Sequence, residues 1–348
     1  MNRKNIPCIP EAYIAQNIDT ESRLHSTSGG VFAVISNYIL DNGGSVYGAV
    51  FDENFIVKHI GIDNKNDLNK LCESKYVQSH LGNCFKEIKA KLNENKLICF
   101  SGTPCQIEGL LNFLGKDYEN LVTVGVVCYG VPSPKLFSKY VSYIQNKYND
   151  KLVKFHFRSK KYGYSSPTVV AQFENMGSID SKSEIKSFTK TYFNGISLRP
   201  SCYECRVKTE KKRFDFLLGD CWRVSEYESS FDDNRGTTSV FVYTEKGKTI
   251  LTKLSANLKL YKADEKQLLN NDCSMIIKCK PRNSKRDLLF DNIDSVPYEK
   301  LINMVVPDSF SNKIANIVKP MLYHLGIKDS LLLKIVKKYR VNKNSKTK

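Results

Sequence analysis

The feature that most constrains the fold of this chain is an alternation of apolar runs and helical patterns between about residue 26 and residue 148. Residues 96–100 and 121–127 are short apolar runs, and each is followed by a loop and then by helical periodicity. Alternation of this kind is typical of parallel strands covered by helices. The stretch therefore predicts an α/β layer with parallel strands at its centre.

The whole chain divides by pattern into three parts, residues 1–150, 151–285 and 286–348. The predicted fold class is α/β with mixed character: an N-terminal α/β layer with a partly parallel sheet, then a mixed C-terminal half with a cysteine-rich segment and terminal helices. Helical patterns cover residues 30–40, 81–92, 106–114, 134–148 and 247–254. Further strand patterns cover residues 45–51, 55–62, 153–157, 168–173, 239–243 and 258–261.

The chain is basic, with 53 Lys and Arg against 36 Asp and Glu in 348 residues, a net charge of +17. This excess suits an acidic partner or an anionic cofactor. No segment resembles a nucleic-acid-binding module, so we expect no nucleic acid partner. The basic stretch 331–338 is either a last core helix or a contact with a membrane surface.

The sequence contains no secretory signal and no apolar run long enough to span a bilayer, so we expect a cytoplasmic protein. Eleven cysteines in such a protein need an explanation. In a reducing compartment, and with an odd count, a disulfide framework is not expected. Cys72, Cys84 and Cys99 lie in apolar periodic stretches, which predicts that they are core residues.

The strongest local signal surrounds Cys105. A predicted strand ends at Phe100, Gly102 makes the turn, and Pro104 occupies a first helical position. Cys105 then lies in the first helical turn, where the helix dipole and free N–H groups stabilise a thiolate. The alternative is a turn with an incidental cysteine.

Further cysteines extend this pattern. Cys128 also follows an apolar run and precedes Gly130, so it should meet Cys105 at the carboxyl edge of the sheet. Cys202 and Cys205 form a Cys-x-x-Cys pair that suits zinc or an iron–sulfur cluster, whereas its Arg-Pro-Ser lead-in fits a redox dithiol poorly. Cys221 is a fifth candidate, and spacing alone does not separate zinc from iron–sulfur.

Small residues before the first predicted helix form another candidate site. The run Ser26-Thr27-Ser28-Gly29-Gly30 could place backbone N–H groups against a phosphate, or Ser28 could simply cap the helix. The segment 74–79 is polar, aromatic and basic, as loops that line a cofactor often are. No catalytic residue stands out: His156 is expected to be structural, and His25 is only a weak candidate.

Taken in order, these segments resemble the coenzyme F(420) hydrogenase/dehydrogenase beta-subunit family. The resemblance runs from about residue 13 to about residue 245. It rests on the motifs Ser28-Gly29-Gly30, Ser74-Lys75-Tyr76 with Gln78-Ser79, Gly102-Thr103-Pro104-Cys105-Gln106, Cys128-Tyr129-Gly130-Val131-Pro132-Ser133, Cys202-x-x-Cys205 and Gly219-Asp220.

The resemblance implies an iron–sulfur flavoprotein that relays electrons between a ferredoxin-like donor, a 4Fe-4S cluster, FAD and a small organic acceptor. It implies Cys105, Cys128, Cys202 and Cys205 as cluster ligands, with the N-terminal part, residues 1–150, holding flavin and cluster. The flavin-contacting set that it implies is Ser26, Ser28, Gly29, Gly30, Lys75, Tyr76, Gln78, Ser79, Gly102, Thr103 and Gln106.

The sequence also departs from the pattern. Many bacterial relatives carry a ferredoxin-like segment before the region that begins here at Tyr13, whereas only Cys8-Ile9-Pro10 precedes it, so we expect a separate ferredoxin as donor. The acceptor is either the deazaflavin coenzyme F(420) or a sugar-linked or lipid-linked molecule of polysaccharide biosynthesis. The rival hypotheses are a zinc-stabilised scaffold or binding protein in such a biosynthetic complex, and a flavoprotein without a cluster.

Overall fold

The structure is a computed structural model that describes residues 10–180 and 182–307. The predictions for the N-terminal nine residues and for the basic stretch 331–338 lie outside the described residues. Within the described ranges, no helix combines the length and the apolar character needed to cross a membrane.

Across these two ranges there are eleven strands, most of them in stretches rich in β-branched or aromatic residues. In chain order they are β1 (Glu11–Asn17), β2 (Ser45–Phe51), β3 (Val57–Ile62), β4 (Ile98–Gly102), β5 (Leu121–Val126), β6 (Leu152–Ser159), β7 (Thr168–Phe173), β8 (Gly177–Ile179), β9 (Phe216–Asp220), β10 (Thr238–Val242) and β11 (Leu258–Ala263).

Twelve α-helices accompany them in the described ranges. They are α1 (Thr20–His25), α2 (Val31–Asp41), α3 (Leu68–Leu71), α4 (Cys84–Asn93), α5 (Pro104–Leu114), α6 (Pro134–Tyr148), α7 (Ser187–Phe193), α8 (Val224–Tyr227), α9 (Glu245–Lys253), α10 (Glu265–Asn271), α11 (Lys285–Asp291) and α12 (Tyr298–Val305).

The main sheet has eight strands in the order β11-β1-β10-β9-β5-β4-β2-β3. Four adjacent strands, β9, β5, β4 and β2, run parallel to one another, and the other pairings are antiparallel. This topology confirms the predicted α/β class with a partly parallel sheet. The carboxyl ends of the parallel strands meet at one edge, where folds of this kind place their ligands.

Both faces of the main sheet are covered. One face packs on α2 and α9 through residues such as Ile35, Ile39 and Leu251, and the other packs on α4 and α5 through Ile88 and Leu110. Each helix turns an apolar stripe toward the sheet, as expected for helices that flank a parallel layer. Strands of this kind are buried on both faces, so β4 and β5 are almost continuously apolar.

A smaller sheet of β6, β7 and β8 packs with α6, α7, α11 and α12 around a separate aromatic cluster. Phe137 lies at its centre, in ring contact with Phe155, Phe157 and Phe188. The main sheet contains strands from both sides of residue 150, so the predicted boundary there does not separate two sheets. As a domain boundary it stays a prediction.

Candidate functional site

Two cavities lie beside the carboxyl ends of β4, β5 and β9. The larger has a volume of about 400 Å³ and the smaller about 40 Å³. Cys105 and Cys128 belong to the walls of both cavities. The loops that follow the parallel strands therefore form two adjoining cavities at the sheet edge where ligands are expected.

Four predicted ligands line the smaller cavity, which we call the cysteine cavity: Cys105, Cys128, Cys202 and Cys205. Cys105 follows Pro104 at the start of α5, where Thr103 is the N-cap and its hydroxyl oxygen lies 3.2 Å from the Cys105 Sγ. Cys202 ends a short 3-10 turn that Pro200 begins. These positions match the local geometry expected from the sequence, with Cys105 in the first turn of a helix and Cys202 on a tight turn.

The thiols of the cysteine cavity are held in a partly buried, basic surrounding. Burial raises the pKa of Cys128 to about 12 and also raises the pKa of Cys202. Lys208 and Lys212 line the same cavity, and the Lys208 ammonium donates to the carbonyl of Cys128 at 2.8 Å. Binding of a metal group would release the thiol protons, and nearby cations would offset the thiolate charge.

In the described part of the chain, no three or more His, Cys, Asp or Glu side chains converge closely enough to hold a single metal ion. The four cysteines line one cavity together.

Five other cysteines of the described residues are buried: Cys72, Cys84, Cys99, Cys221 and Cys273. Cys84 and Cys99 are core residues as predicted, and Cys72 is buried but also reaches the wall of the larger cavity. Cys221, the fifth predicted candidate, is fully buried beside Cys273 and lines neither cavity.

Cys279 was not singled out from the sequence, yet it lies against the Cys-x-x-Cys turn. The backbone N–H of Cys205 donates to the Cys279 Sγ at 3.3 Å. The sequence around Cys279, including Lys278 and Lys280, gave no signal that it lies near Cys205, because the two cysteines are 74 positions apart in the chain.

The larger cavity gathers almost all of the residues predicted to contact a flavin, and we call it the flavin cavity after that prediction. Gly29 is the exception. The cavity wall contains Ser26, Ser28, Gly30, Lys75, Tyr76, Gln78, Ser79, Gly102, Thr103 and Gln106.

Gly29 has a packing role instead. A Cβ atom at this position would clash with the carbonyl oxygen of Ala15 and would lie 2.7 Å from the backbone nitrogen of Thr238. Glycine is thus required where the chain passes closely over β1 and β10. The structure places this residue behind the cavity wall.

Helix α2 begins at the flavin cavity without a side-chain cap. Its N-cap is Gly30, at φ +83°, and not Ser28, the alternative considered from the sequence. The Ser28 hydroxyl donates to the carbonyl of Thr237 at 2.7 Å. The first N–H groups of α2 therefore remain available to a ligand at its N-terminus.

Two predicted residues from different segments bind one another in the wall. The Gln106 amide donates to the Ser79 hydroxyl at 2.8 Å, and its carbonyl oxygen accepts from the N–H of Thr103 at 2.9 Å. This capping box fixes the start of α5 and joins it to the segment 74–79. The loop that carries Cys105 is thereby held in one position.

The ammonium of Lys75 donates hydrogen bonds to backbone carbonyls just before it in the chain. It donates to the carbonyls of Cys72 at 2.6 Å and Lys70 at 2.8 Å, and burial lowers its pKa to about 8. The neighbouring Glu73 adopts a left-handed φ of +72° and lies 2.7 Å from the Nδ1 of His156. His156, predicted to be structural, thus holds a strained residue of the cavity wall in place.

Two wall residues, Arg158 and Trp222, had no sequence signal. Arg158 of β6 pairs with Asp220 at the end of β9, and its guanidinium lies 4.6 Å from the ring centre of Trp222. Trp222 also stacks on Tyr164, with ring centres 4.9 Å apart. These contacts join the small sheet to the main sheet across the cavity, which no local pattern could reveal.

His59 contributes a neutral imidazole to the same wall. Its Nε2 lies 3.1 Å from the carbonyl of Ser101, and burial lowers its pKa to about 4. The weak candidate His25 is exposed at the end of α1 and lines neither cavity.

Comparison with known proteins places these residues in a family. Residues 95–267 match the family model that describes the C terminus of the beta subunit of coenzyme F(420) hydrogenase/dehydrogenase. All four cysteines of the cysteine cavity lie within the matched residues.

Among solved structures, a chain of the F(420)-reducing nickel–iron hydrogenase complex of Methanosarcina barkeri, studied as a xenon derivative, is similar. It shares 18% sequence identity with a TM-score of 0.49, over 86% of this chain and 93% of that chain. No curated protein sequence matches significantly. The family-model match shows that this chain belongs to the coenzyme F(420) hydrogenase/dehydrogenase beta-subunit family.

Proposed function

We propose that this protein is an iron–sulfur flavoprotein oxidoreductase subunit. In this proposal the cysteine cavity holds a 4Fe-4S cluster and the flavin cavity holds FAD. The observation that carries it is the shared wall: Cys105 and Cys128 border both cavities, so the two cofactors would be neighbours. When bound, the cluster would exchange single electrons with a donor, and the flavin would convert them to pairs for an organic acceptor.

Cys105, Cys128, Cys202 and Cys205 are the proposed cluster ligands. Cys279 and Lys208 are the groups best placed to tune them, since Cys279 contacts the Cys205 backbone and Lys208 contacts the Cys128 carbonyl. Hydrogen bonds and charges around the sulfurs set the reduction potential of a cluster.

The flavin cavity would position FAD along the sheet edge. The end that adjoins the cysteine cavity is walled mainly by apolar groups, including Val126, Val127 and Val131, which suit a ring and exclude water. The Gln106–Ser79 contact would keep this wall fixed while the cofactor is bound. The opposite end, at the start of α2, is polar.

The electron donor is proposed to be an acidic, ferredoxin-like protein. Exposed basic residues surround the Cys-x-x-Cys turn, among them Arg199, Arg206 and Lys278. A basic face over the site where electrons enter would steer an acidic carrier into a productive orientation. The ten free cysteines of the described residues fit a reducing compartment, so the proposal places the protein in the cytoplasm.

The acceptor is proposed to be a small organic molecule. Two classes remain in the proposal, a deazaflavin and a sugar-linked or lipid-linked intermediate of surface-polysaccharide biosynthesis. Product analysis with either class would separate them.

Substitution of one ligand tests the cluster assignment. Cys202→Ser should lose most of its iron and acid-labile sulfide after anaerobic reconstitution, because one of four thiolates is removed. Cys221→Ala is the matched control and should keep both, since Cys221 lines neither cavity. Full iron and sulfide in Cys202→Ser, with an unchanged melting temperature, would show that the assignment is wrong.

A further inference from the structure

Arg158 has a buried amino group that the described protein atoms leave without a partner. Its side chain is 9% exposed, its Nη1 pairs with Asp220, and its Nη2 has no hydrogen-bond partner there. Arg158 is part of the wall of the flavin cavity. A buried N–H of a charged group is costly to leave unpaired, so this position calls for an acceptor atom from a ligand.

The uncapped N-terminus of α2 lies at the same end of the cavity. The Ser28 hydroxyl and the Tyr164 hydroxyl both lie within hydrogen-bond distance of the Thr237 carbonyl, at 2.7 and 3.1 Å. Tyr164 also lies 3.1 Å from Asp220, the partner of Arg158. Ser28 and Arg158 are thus linked through intervening residues, and Val31 and Phe32 of the first turn of α2 line the cavity as well.

Lys160, two residues after Arg158 and just beyond the end of β6, adds a third positive group. Its ammonium donates to the carbonyls of Ser28 at 2.6 Å, Arg235 at 2.7 Å and Arg23 at 2.8 Å. Burial lowers the pKa of Lys160 to about 7, whereas three carbonyl acceptors favour the ammonium with its three N–H groups. A bound anion would add to the groups that favour the charged form.

The opposing charges at this end are accounted for. Asp220 is paired with Arg158 and contacts Tyr164, and Asp233 is paired with Arg23. Asp220 balances the charge of Arg158, so the surplus of positive potential at this end comes from the α2 N-terminus and Lys160, and the Nη2 of Arg158 adds an unused hydrogen-bond donor. Helix N-termini and arginine forks are both suited to phosphate.

We propose that Arg158 and the N-terminus of α2 together form a phosphate subsite of the flavin cavity, which holds the phosphate of a flavin nucleotide. This inference rests on the proposed function. It assigns the two ends of the cavity: phosphate at the α2 end, and the isoalloxazine ring at the end that Cys105 and Cys128 share with the cysteine cavity.

Binding of three flavins to the flavin-free protein tests the subsite. FAD and FMN carry phosphate, whereas riboflavin has the same ring and none. Arg158→Gln should weaken FAD and FMN about ten- to a hundredfold, the effect of one charge-assisted hydrogen bond, and should change riboflavin affinity less than about twofold. Fluorescence titration measures all three dissociation constants.

Two further variants keep the test decisive. Arg158→Gln with Asp220→Asn removes both charges of the pair, avoids an unpaired buried carboxylate, and should show the same selective loss. Arg235→Gln is the matched control: Arg235 is exposed, lies outside the cavity wall, and should bind all three flavins as the wild type does.

The outcomes separate the inference from the proposed function. Equal weakening of riboflavin, or unchanged FAD and FMN affinity in both Arg158 variants, would overturn the phosphate subsite. A wild-type protein that binds none of the three flavins would overturn the proposed function itself.

Discussion

His59 shows at the scale of one residue how the cavity controls protonation. It lies opposite Ala49 in the hairpin of β2 and β3, its ring stacks on Phe100 with ring centres 5.4 Å apart, and its Nε2 contacts the Ser101 carbonyl. Burial is the main reason that its pKa falls to about 4. The imidazole is therefore neutral at physiological pH and serves as a fixed dipole of the wall.

This protonation state has a measurable effect on stability. The pKa of His59 is about 4 in the folded state, against the ordinary value of 6.5 that it has in the unfolded chain. Between these values the unfolded chain binds the extra proton, so the free energy of unfolding falls as pH decreases through this window. We expect His59 to contribute about 2 kcal/mol to the loss between pH 7 and pH 5.

Urea unfolding of the flavin-free protein at both pH values provides the measurement. His59→Gln should lose less stability than the wild type between pH 7 and pH 5, because its side chain does not titrate. His25→Gln, at an exposed position, is the control and should follow the wild type. An equal pH dependence in all three proteins would contradict a buried neutral His59.

The chemistry-bearing residues differ in how far the sequence could identify them. Cys105 and Cys128 were found because each follows an apolar strand at a turn with glycine and proline, a local pattern. Arg158 and Cys279 were missed because their roles come from contacts with Asp220 and Cys205, 62 and 74 positions away. Only tertiary structure brings such partners together.

At the scale of elements, local patterns predicted most helices and strands of the α/β layer. The hairpin of β2 and β3, the strands β4 and β5 and the helices α5 and α6 lie where apolar periodicity placed them. Strand β9 was missed, because its short apolar run lies inside the cysteine-rich basic segment. Its pairing with β5 completes the four parallel strands, so the sheet depends on a contact that the local pattern did not signal.

Two glycines provide a test at this scale. Gly29→Ala should destabilise the protein by about 3 kcal/mol, because the new Cβ would clash with the Ala15 carbonyl and rigid strand backbone must move. Gly109→Ala, in the interior of α5, has its nearest neighbour at 3.6 Å and should stabilise by about 0.5–1 kcal/mol.

Chemical denaturation of both variants measures these changes. The opposite signs make the comparison internally controlled, since both substitutions add one methyl group. Gly29→Ala with wild-type stability would mean that the chain at Gly29 does not approach β1 and β10 as closely as described.

At the scale of the molecule, the exposed basic residues and the two cavities give the proposed electron transfer a direction. The exposed basic residues Arg206 and Lys278 flank the cysteine cavity, and the flavin cavity shares Cys105 and Cys128 with it. In the proposal, electrons from an acidic carrier enter beside the cysteine cavity and pass across this shared wall to the flavin. The overall charge of +17 and the basic character of the cysteine-rich segment were visible in the sequence, but the position of Lys278 beside that segment was not.

Charge reversal tests this direction. Arg206→Glu with Lys278→Glu should slow reduction by an acidic ferredoxin about tenfold or more at low salt, with a smaller effect at high salt, because electrostatic steering is screened. Lys253→Glu with Lys300→Glu, on α9 and α12, makes the same charge change away from both cavities and should have little effect. Stopped-flow reduction kinetics report both; equal slowing by the two pairs would contradict a specific docking face.

The most direct test of the central claim is an absorption spectrum of protein purified without oxygen, with iron, sulfide, zinc and flavin assayed on the same sample. The account predicts a brown protein with about four iron and four sulfide per chain together with FAD. A colourless protein that carries zinc, and that stays unchanged after anaerobic cluster reconstitution with added FAD, would contradict it.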